Sequence, residues 1–369
     1  MSYNKLVSAN TKFGFNLFSQ IVAKNADNNI FVSPSSVAIA LQMTYNGADG
    51  STQQAIAQVL QLQDISLAEI NQYQLALRQN LANIDPKVQL DIANSLWLQQ
   101  GFPLQPEFLE ITEKYYQAQV RNLDFNNPNS VNIINDWVNQ NTNTKIPTII
   151  DKIDRLAVLF LINAIYFKGN WQEEFSKSAT QEKPFTLLNG TRKQHPLMCQ
   201  TGKYWFYENA EFQAISLPYG SGRLSMFVFL PKPNVKLTDF YANLTVENWQ
   251  QWMTQFWYRD GEIVLPRFKL EYDITLNEAL KALGMGVAFQ NQANFSNMTL
   301  EQVQIDQVKH KTFVEVNEEG TEAAAVTSVA MTRGLSIGFK MIVARPFFCA
   351  ICDNQTGTIL FMGSIVDPK

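Results

Sequence analysis

Residues Leu156-Ala157-Val158-Leu159-Phe160-Leu161-Ile162-Asn163-Ala164-Ile165-Tyr166-Phe167 form the longest apolar run of the chain, interrupted only by Asn163. The run is shorter than the roughly 20 residues a membrane-spanning helix needs. Its Leu, Ile, Val and Phe content reads instead as a strand buried on both faces. Upstream, Ser33-Pro34-Ser35-Ser36 suits a helix start, with a serine cap and proline in the first turn, and Ala38 to Met43 carry apolar residues at helical spacing. Ser51 to Leu60 reads as another helix, entered after the Gly47 and Gly50 turn. Downstream, Leu224 to Leu230 reads as a strand stopped by Pro231-Lys232-Pro233. Ile263 to Phe268 and Phe313 to Val316 read as further strands, and Asp353 to Gly357 as a turn between short apolar runs. Helices first and sheet later point to one large α+β domain over residues 1–369.

Composition narrows the function. A hydrophobic fraction of 46% and a charged fraction of 17% exclude a mainly disordered chain. The net charge of -4 and the absence of Lys/Arg runs argue against nucleic-acid or anionic-lipid binding. Met1 to Gln20 carry polar groups throughout and no apolar secretory core. The expectation is a cytoplasmic protein, or a secreted one whose signal was removed before residue 1.

Three cysteines, Cys199, Cys349 and Cys352, cannot build a disulfide framework. Cys349 and Cys352 have redox-type spacing, but their flanks read as strand, so their side chains point to opposite faces and buried small hydrophobes are expected. With only His195 and His310 available, a multi-histidine zinc site is not expected, and neither is any cofactor. No GxSxG, HExxH, GxxxxGK[ST] or GxGxxG motif occurs. Gly284-Met285-Gly286 reads as a helix stop. His195, in the polar Lys193-Gln194-His195-Pro196, reads as a surface histidine. The pattern is not that of an enzyme.

One segment stands apart, from Glu318-Glu319-Gly320-Thr321-Glu322-Ala323-Ala324-Ala325 to Val326-Thr327-Ser328-Val329-Ala330-Met331-Thr332-Arg333-Gly334. A short helix capped by Thr321 would use the alanines. The β-branched residues that follow favour strand. Taken as extended, Thr321, Ala323, Ala325, Thr327, Val329 and Met331 share one face, small enough to slip between existing strands. Gly320 at its base permits the backbone rotation of a hinge.

This segment resembles the hinge of inhibitory serpins almost letter for letter. The resemblance runs from Asn29-Ile30-Phe31-Val32-Ser33-Pro34 to Leu360-Phe361-Met362-Gly363. Between them lie Tyr45-Asn46-Gly47-Ala48, Tyr115 to Ala118, Ile134 to Val138, Asn163 to Gly169, Leu217-Pro218-Tyr219 and Ala344-Arg345-Pro346-Phe347. Together, in order and at family spacing, these stretches are highly specific.

The resemblance implies an α+β serpin fold: three β-sheets, about nine helices and an exposed reactive loop, with hinge and loop at about residues 318–340. It implies a suicide inhibitor whose partner is a serine protease. The protease cuts the loop, forms an acyl-enzyme and is carried away as the loop inserts into the central sheet. By resemblance, Ser33, Ser36, Asn163 and His310 form the polar cluster at which the central strands part. Trp171, Arg267 and Glu318 mark the region where the loop enters. An exposed Arg267–Glu318 pair would add roughly 0–1 kcal/mol.

Two departures from the family pattern follow. Val326 replaces a small residue, though on the outward face. In most inhibitory members the cleaved bond follows the residue fourteen places after the hinge glycine, here Gly334, which selects Gly334–Leu335. Side-chain chemistry selects Arg333–Gly334 and a trypsin-like target, because a carboxylate-based pocket grips arginine and finds nothing on glycine. Met331–Thr332 and Leu335–Ser336 stay open to elastase-like or chymotrypsin-like enzymes. Only Arg78 and Lys87 lie in the stretch Gln61 to Lys87 where some serpins bind heparin-type polymers, so such activation is not expected. A monomer is expected. The rival reading is a non-inhibitory serpin, a carrier, chaperone or storage protein.

Overall fold

A computed structural model describes residues 2–82, 84–320 and 338–369. The helices are α1 (Ser2–Asn25), α2 (Pro34–Gly47), α3 (Gly50–Leu60), α4 (Leu67–Ala82), α5 (Pro106–Ile111), α6 (Ser130–Asn141), α7 (Leu237–Ala242), α8 (Val246–Met253) and α9 (Asn277–Leu280). The first strands are β1 (Ile30–Val32), β2 (Val88–Gln99), β3 (Gln119–Leu123), β4 (Leu159–Gly169) and β5 (Gln181–Thr186). Then come β6 (Arg192–Glu208), β7 (Phe212–Tyr219), β8 (Leu224–Pro231), β9 (Trp257–Pro266) and β10 (Phe268–Thr275). The last are β11 (Gln307–Val316), β12 (Phe339–Ile342), β13 (Phe347–Asp353) and β14 (Ile359–Ile365).

Among the described residues the strands form two hydrogen-bonded sheets. A five-stranded sheet runs β10-β11-β4-β2-β3. A nine-stranded sheet runs β1-β14-β13-β8-β7-β6-β9-β12, with β5 branching from β6. The resemblance implied three sheets, and β6 explains the difference. Its 17 residues pair with β5 at one end, with β7 at the other and with β9 from Leu197 to Phe206 between them, so one long strand joins all of these strands into a single hydrogen-bonded sheet.

Strand β4 is buried on both faces, and its alternation feeds two separate cores. Leu159, Leu161, Ile165 and Phe167 join the large core, whereas Phe160, Ile162, Ala164 and Tyr166 join a second core against α6. The strand starts at Leu159, later than the apolar run. Leu156 is 87% exposed and belongs to the turn before it. Helix α2 contacts both β4 and β14 and is buried over most of its surface, as a helix between two sheets must be. Its start is as read from sequence: Ser33 caps it by accepting from the Ser36 amide at 3.3 Å, and Pro34 opens the first turn.

Two strand readings are corrected. Ile263 to Phe268 is not one strand: β9 ends at Pro266 and β10 begins at Phe268, in the other sheet. Proline has no N–H to carry the ladder on, so the chain crosses between sheets at Arg267. His195 is not a surface residue but is 8% exposed on β6. Strand alternation turns it inward with Leu197 while its polar neighbour Gln194 faces out. Cys349 and Cys352 are buried free thiols on β13, in keeping with the small-hydrophobe reading.

Candidate functional site

The centre of the five-stranded sheet holds a parallel seam. β11 pairs with β4 from Gln307 opposite Phe160 to Phe313 opposite Tyr166, while the outer neighbours β10 and β2 pair antiparallel. His310 stands opposite Asn163, and Asn163 opposite Asn94 on β2, so three polar side chains cross three adjacent strands. All three face the large core, where the capped start of α2 meets them. The Ser33 amide donates to His310 Nε2 at 3.0 Å, which leaves His310 Nδ1–H to donate to Asn163 Oδ1. The Asn163 amide donates to the Ser36 carbonyl (3.2 Å) and hydroxyl and to Asn94 Oδ1. Thr312 donates to the Phe31 carbonyl at 2.6 Å.

These hydrogen-bonded partners carry no charge, and His310 is fully buried. Burial therefore holds its imidazole neutral, pushing the pKa down to about 3. Both ring nitrogens are occupied, so His310 cannot serve as a general base. The other histidine, His195, has its Nε2 2.6 Å from the Arg267 carbonyl. The four residues expected at the strand-parting cluster are brought together. Asn94, which sequence reasoning missed, completes it; its signal is an amide inside an otherwise strand-forming run.

The second constellation closes the top of this seam. Beyond Phe313, β11 and β4 part, and the chain from Asn317 to Gly320 bridges the gap. Trp171 N–H donates to the Glu319 carbonyl at 3.0 Å, and Phe175 N–H to the Glu318 carbonyl at 2.8 Å. The Trp171 indole donates to the Asn317 carbonyl at 2.9 Å and stacks on Tyr219 with centroids 4.4 Å apart. Gly320 has φ +123°, and a Cβ there would lie 2.2 Å from the Gly169 carbonyl oxygen and 2.5 Å from the Trp171 nitrogen. No side chain fits in that gap.

Arg267 donates through Nε and Nη2 to Glu318 Oε1, and Thr180 donates to the same oxygen. The pair is not the exposed one expected from sequence. The Glu318 side chain is 2% exposed, although the Arg267 side chain is 40% exposed. Burial pushes the Glu318 carboxyl up, but the donors from Arg267 and Thr180 outweigh it and hold its pKa below the usual range. Lys177 pairs with Glu319 beside it. The structure thus brings Trp171, Arg267 and Glu318 together around the Asn317–Gly320 bridge, and Thr180 and Lys177 join them from a segment with no strong sequence signal. Of the hinge, Glu318, Glu319 and Gly320 are in place. Thr321, Glu322, Ala323, Ala324, Ala325, Arg333, Gly334 and Leu335 lie outside the described residues.

Residues 8–368 match the family model described as "Serpin (serine protease inhibitor)". The chain belongs to the serpin family. Human neuroserpin is 34% identical over 367 residues, covering 96% of this chain and 90% of that protein. Human leukocyte elastase inhibitor is also 34% identical, covering 99% of this chain and 100% of that one. The solved structure of human thyroxine-binding globulin in complex with thyroxine superposes with a TM-score of 0.93 at 27% identity, each chain fully covered. The fold expected from sequence is therefore that of this serpin, and its relatives include one named as an elastase inhibitor and one named for binding thyroxine.

Proposed function

We propose that this serpin is a suicide-substrate inhibitor of a serine protease, acting as a monomer and not as an enzyme. The observation that carries the reading is the parallel β4–β11 seam, continuous through Gly320 with a segment of small residues. A strand returning from the end of β11 would run antiparallel to β11 and to β4 alike and could pair with both. Opening the seam exchanges the cluster of Ser33, Ser36, Asn163 and His310 for those new ladders. A row of Thr321, Ala323 and Ala325 on the inserting face would enter without overpacking.

The proposed scissile bond is Arg333–Gly334 and the proposed target is trypsin-like, with Gly334–Leu335 as the alternative. The purified protein, incubated with a panel of serine proteases, is expected to give a 1:1 band stable to denaturing electrophoresis. Mass spectrometry of the small C-terminal fragment should then show it beginning at Gly334. Free turnover by every protease that cuts the loop, with only cleaved serpin remaining, would refute inhibition and favour a carrier.

A further inference from the structure

The exposed aromatic side chains Trp205 and Tyr258 sit together on adjacent strands, while Trp257, which precedes Tyr258 on β9, points to the opposite face with Phe206 and Arg259. Trp205 is 52%, Trp257 55% and Tyr258 57% exposed. Trp205 stands opposite Tyr258 in the β6–β9 register, with ring centroids 5.8 Å apart on one outward face. On the opposite face the sheet is closely packed: Phe206 stacks on Phe339 with ring centroids 3.8 Å apart, and the Arg259 guanidinium lies 4.6 Å from the Trp257 ring centre. Single exposed apolar residues mean little, but neighbouring Trp and Tyr on a firm support have the composition of interface hot spots.

The position of this patch names its occupant. β12 runs parallel to β9 from Phe339 opposite Gly261, and Gly338 abuts Asp260, whose carbonyl oxygen would be 2.7 Å from a Cβ at 338. The chain thus enters β12 from the Asp260 end of β9. Tyr258 shares the outward face with Asp260, two residues and about 7 Å further along the strand. Gly338, the first described residue after the loop segment, therefore lies beside this face. We infer that Trp205 and Tyr258 form a secondary docking surface for the body of the target protease, beside the scissile segment. The inference rests on the inhibitory reading and adds a determinant of partner choice to it. The local charges are balanced, with Lys340 paired to Glu262 at 3.0 Å and Lys203 opposite Asp260 in register. Aromatic burial, and not charge steering, is therefore the source of affinity.

The test compares the second-order association rate constants of wild type, Trp205→Ala/Tyr258→Ala and Leu156→Ala with trypsin-like, elastase-like and chymotrypsin-like proteases. Both substituted side chains point to solvent, so the melting temperature should not move. For at least one protease trapped by the wild type, the double variant should associate about tenfold more slowly or worse. Its stoichiometry of inhibition should be unchanged, and Leu156→Ala, at the far end of β4, should stay within about twofold of wild type. The single variant Tyr258→Ala is read in its place if the double variant melts early. Equal rates for every trapped protease would overturn the docking surface and leave the inhibitory reading standing. A wild type that traps no protease would overturn both. A dimer that Trp205→Ala returns to monomer would assign the patch to a second copy and also overturn the inference.

Discussion

Acidification should weaken the native state through His310 in a way that can be isolated from every other titration. The folded imidazole is held near a pKa of about 3, against an ordinary value of 6.5, chiefly by burial. Between those values the unfolded chain binds a proton that the native chain excludes, so stability falls as the pH falls. His310 contributes its full share above about pH 6.5 and loses about 1.4 kcal/mol for each unit below it. At about pH 5 the accumulated loss is about 2 kcal/mol, a sizeable part of a typical domain's stability. The check is urea unfolding of wild type and His310→Gln at several values between about pH 7 and pH 5. The variant keeps a donor and an acceptor but cannot titrate. It should start less stable and then lose less, so that the gap narrows by about 2 kcal/mol across the range. Carboxylates titrate alike in both proteins and cancel. A gap that stays flat would show that His310 is protonated in the folded protein, and the assignment of a neutral cluster at the seam would be wrong.

Other outcomes follow from the same geometry. Gly320→Ala should lower the melting temperature, since the added Cβ meets the Gly169 carbonyl at 2.2 Å and the backbone conformation alone costs about 1–3 kcal/mol; an unchanged melt would refute the tight bridge at the seam top. Glu318→Gln should destabilise by about 1–2 kcal/mol, less than a fully buried ion pair because Arg267 is part-exposed, and the thermal melt reads it. Cleavage of the loop should raise the melting temperature sharply, because an inserted strand gains two ladders; equal melts for intact and cleaved protein would argue against insertion. A thiol reagent should modify at most Cys199 in the native protein and three thiols after unfolding, since Cys349 and Cys352 are buried and burial pushes the Cys349 thiol up to about 12. Rapid modification of all three in the native state would contradict the packing of β13.

Most of the fold was legible locally. Ser33-Pro34 capping α2, the two-faced burial of β4 and the β13–β14 turn at Asp353 to Gly357 each follow from short-range rules of capping, alternation and turn chemistry. The hinge and cluster residues were legible too, but through family resemblance, which carries positions without giving their environments. Two errors show where local reading ends. His195 among polar neighbours looks exposed until strand alternation and the Arg267 carbonyl bury it. Ile263 to Phe268 looks like one strand until Pro266 stops the ladder and Arg267 crosses to the second sheet.

By itself, then, the sequence determined the elements, the small-residue segment after Gly320 and the residue types that can part a seam. Only the tertiary structure decided their energies. Asn94 meets Asn163 through strand register across 69 residues of chain, and Thr180 reaches Glu318 across 138. Whether Glu318 is a weak surface partner or a buried carboxylate with three donors depends on what covers it. The neutrality of His310 likewise depends on the two sheets closing over α2. Burial, register and long-range pairing set these terms, and none of them is a property of a residue and its neighbours in sequence.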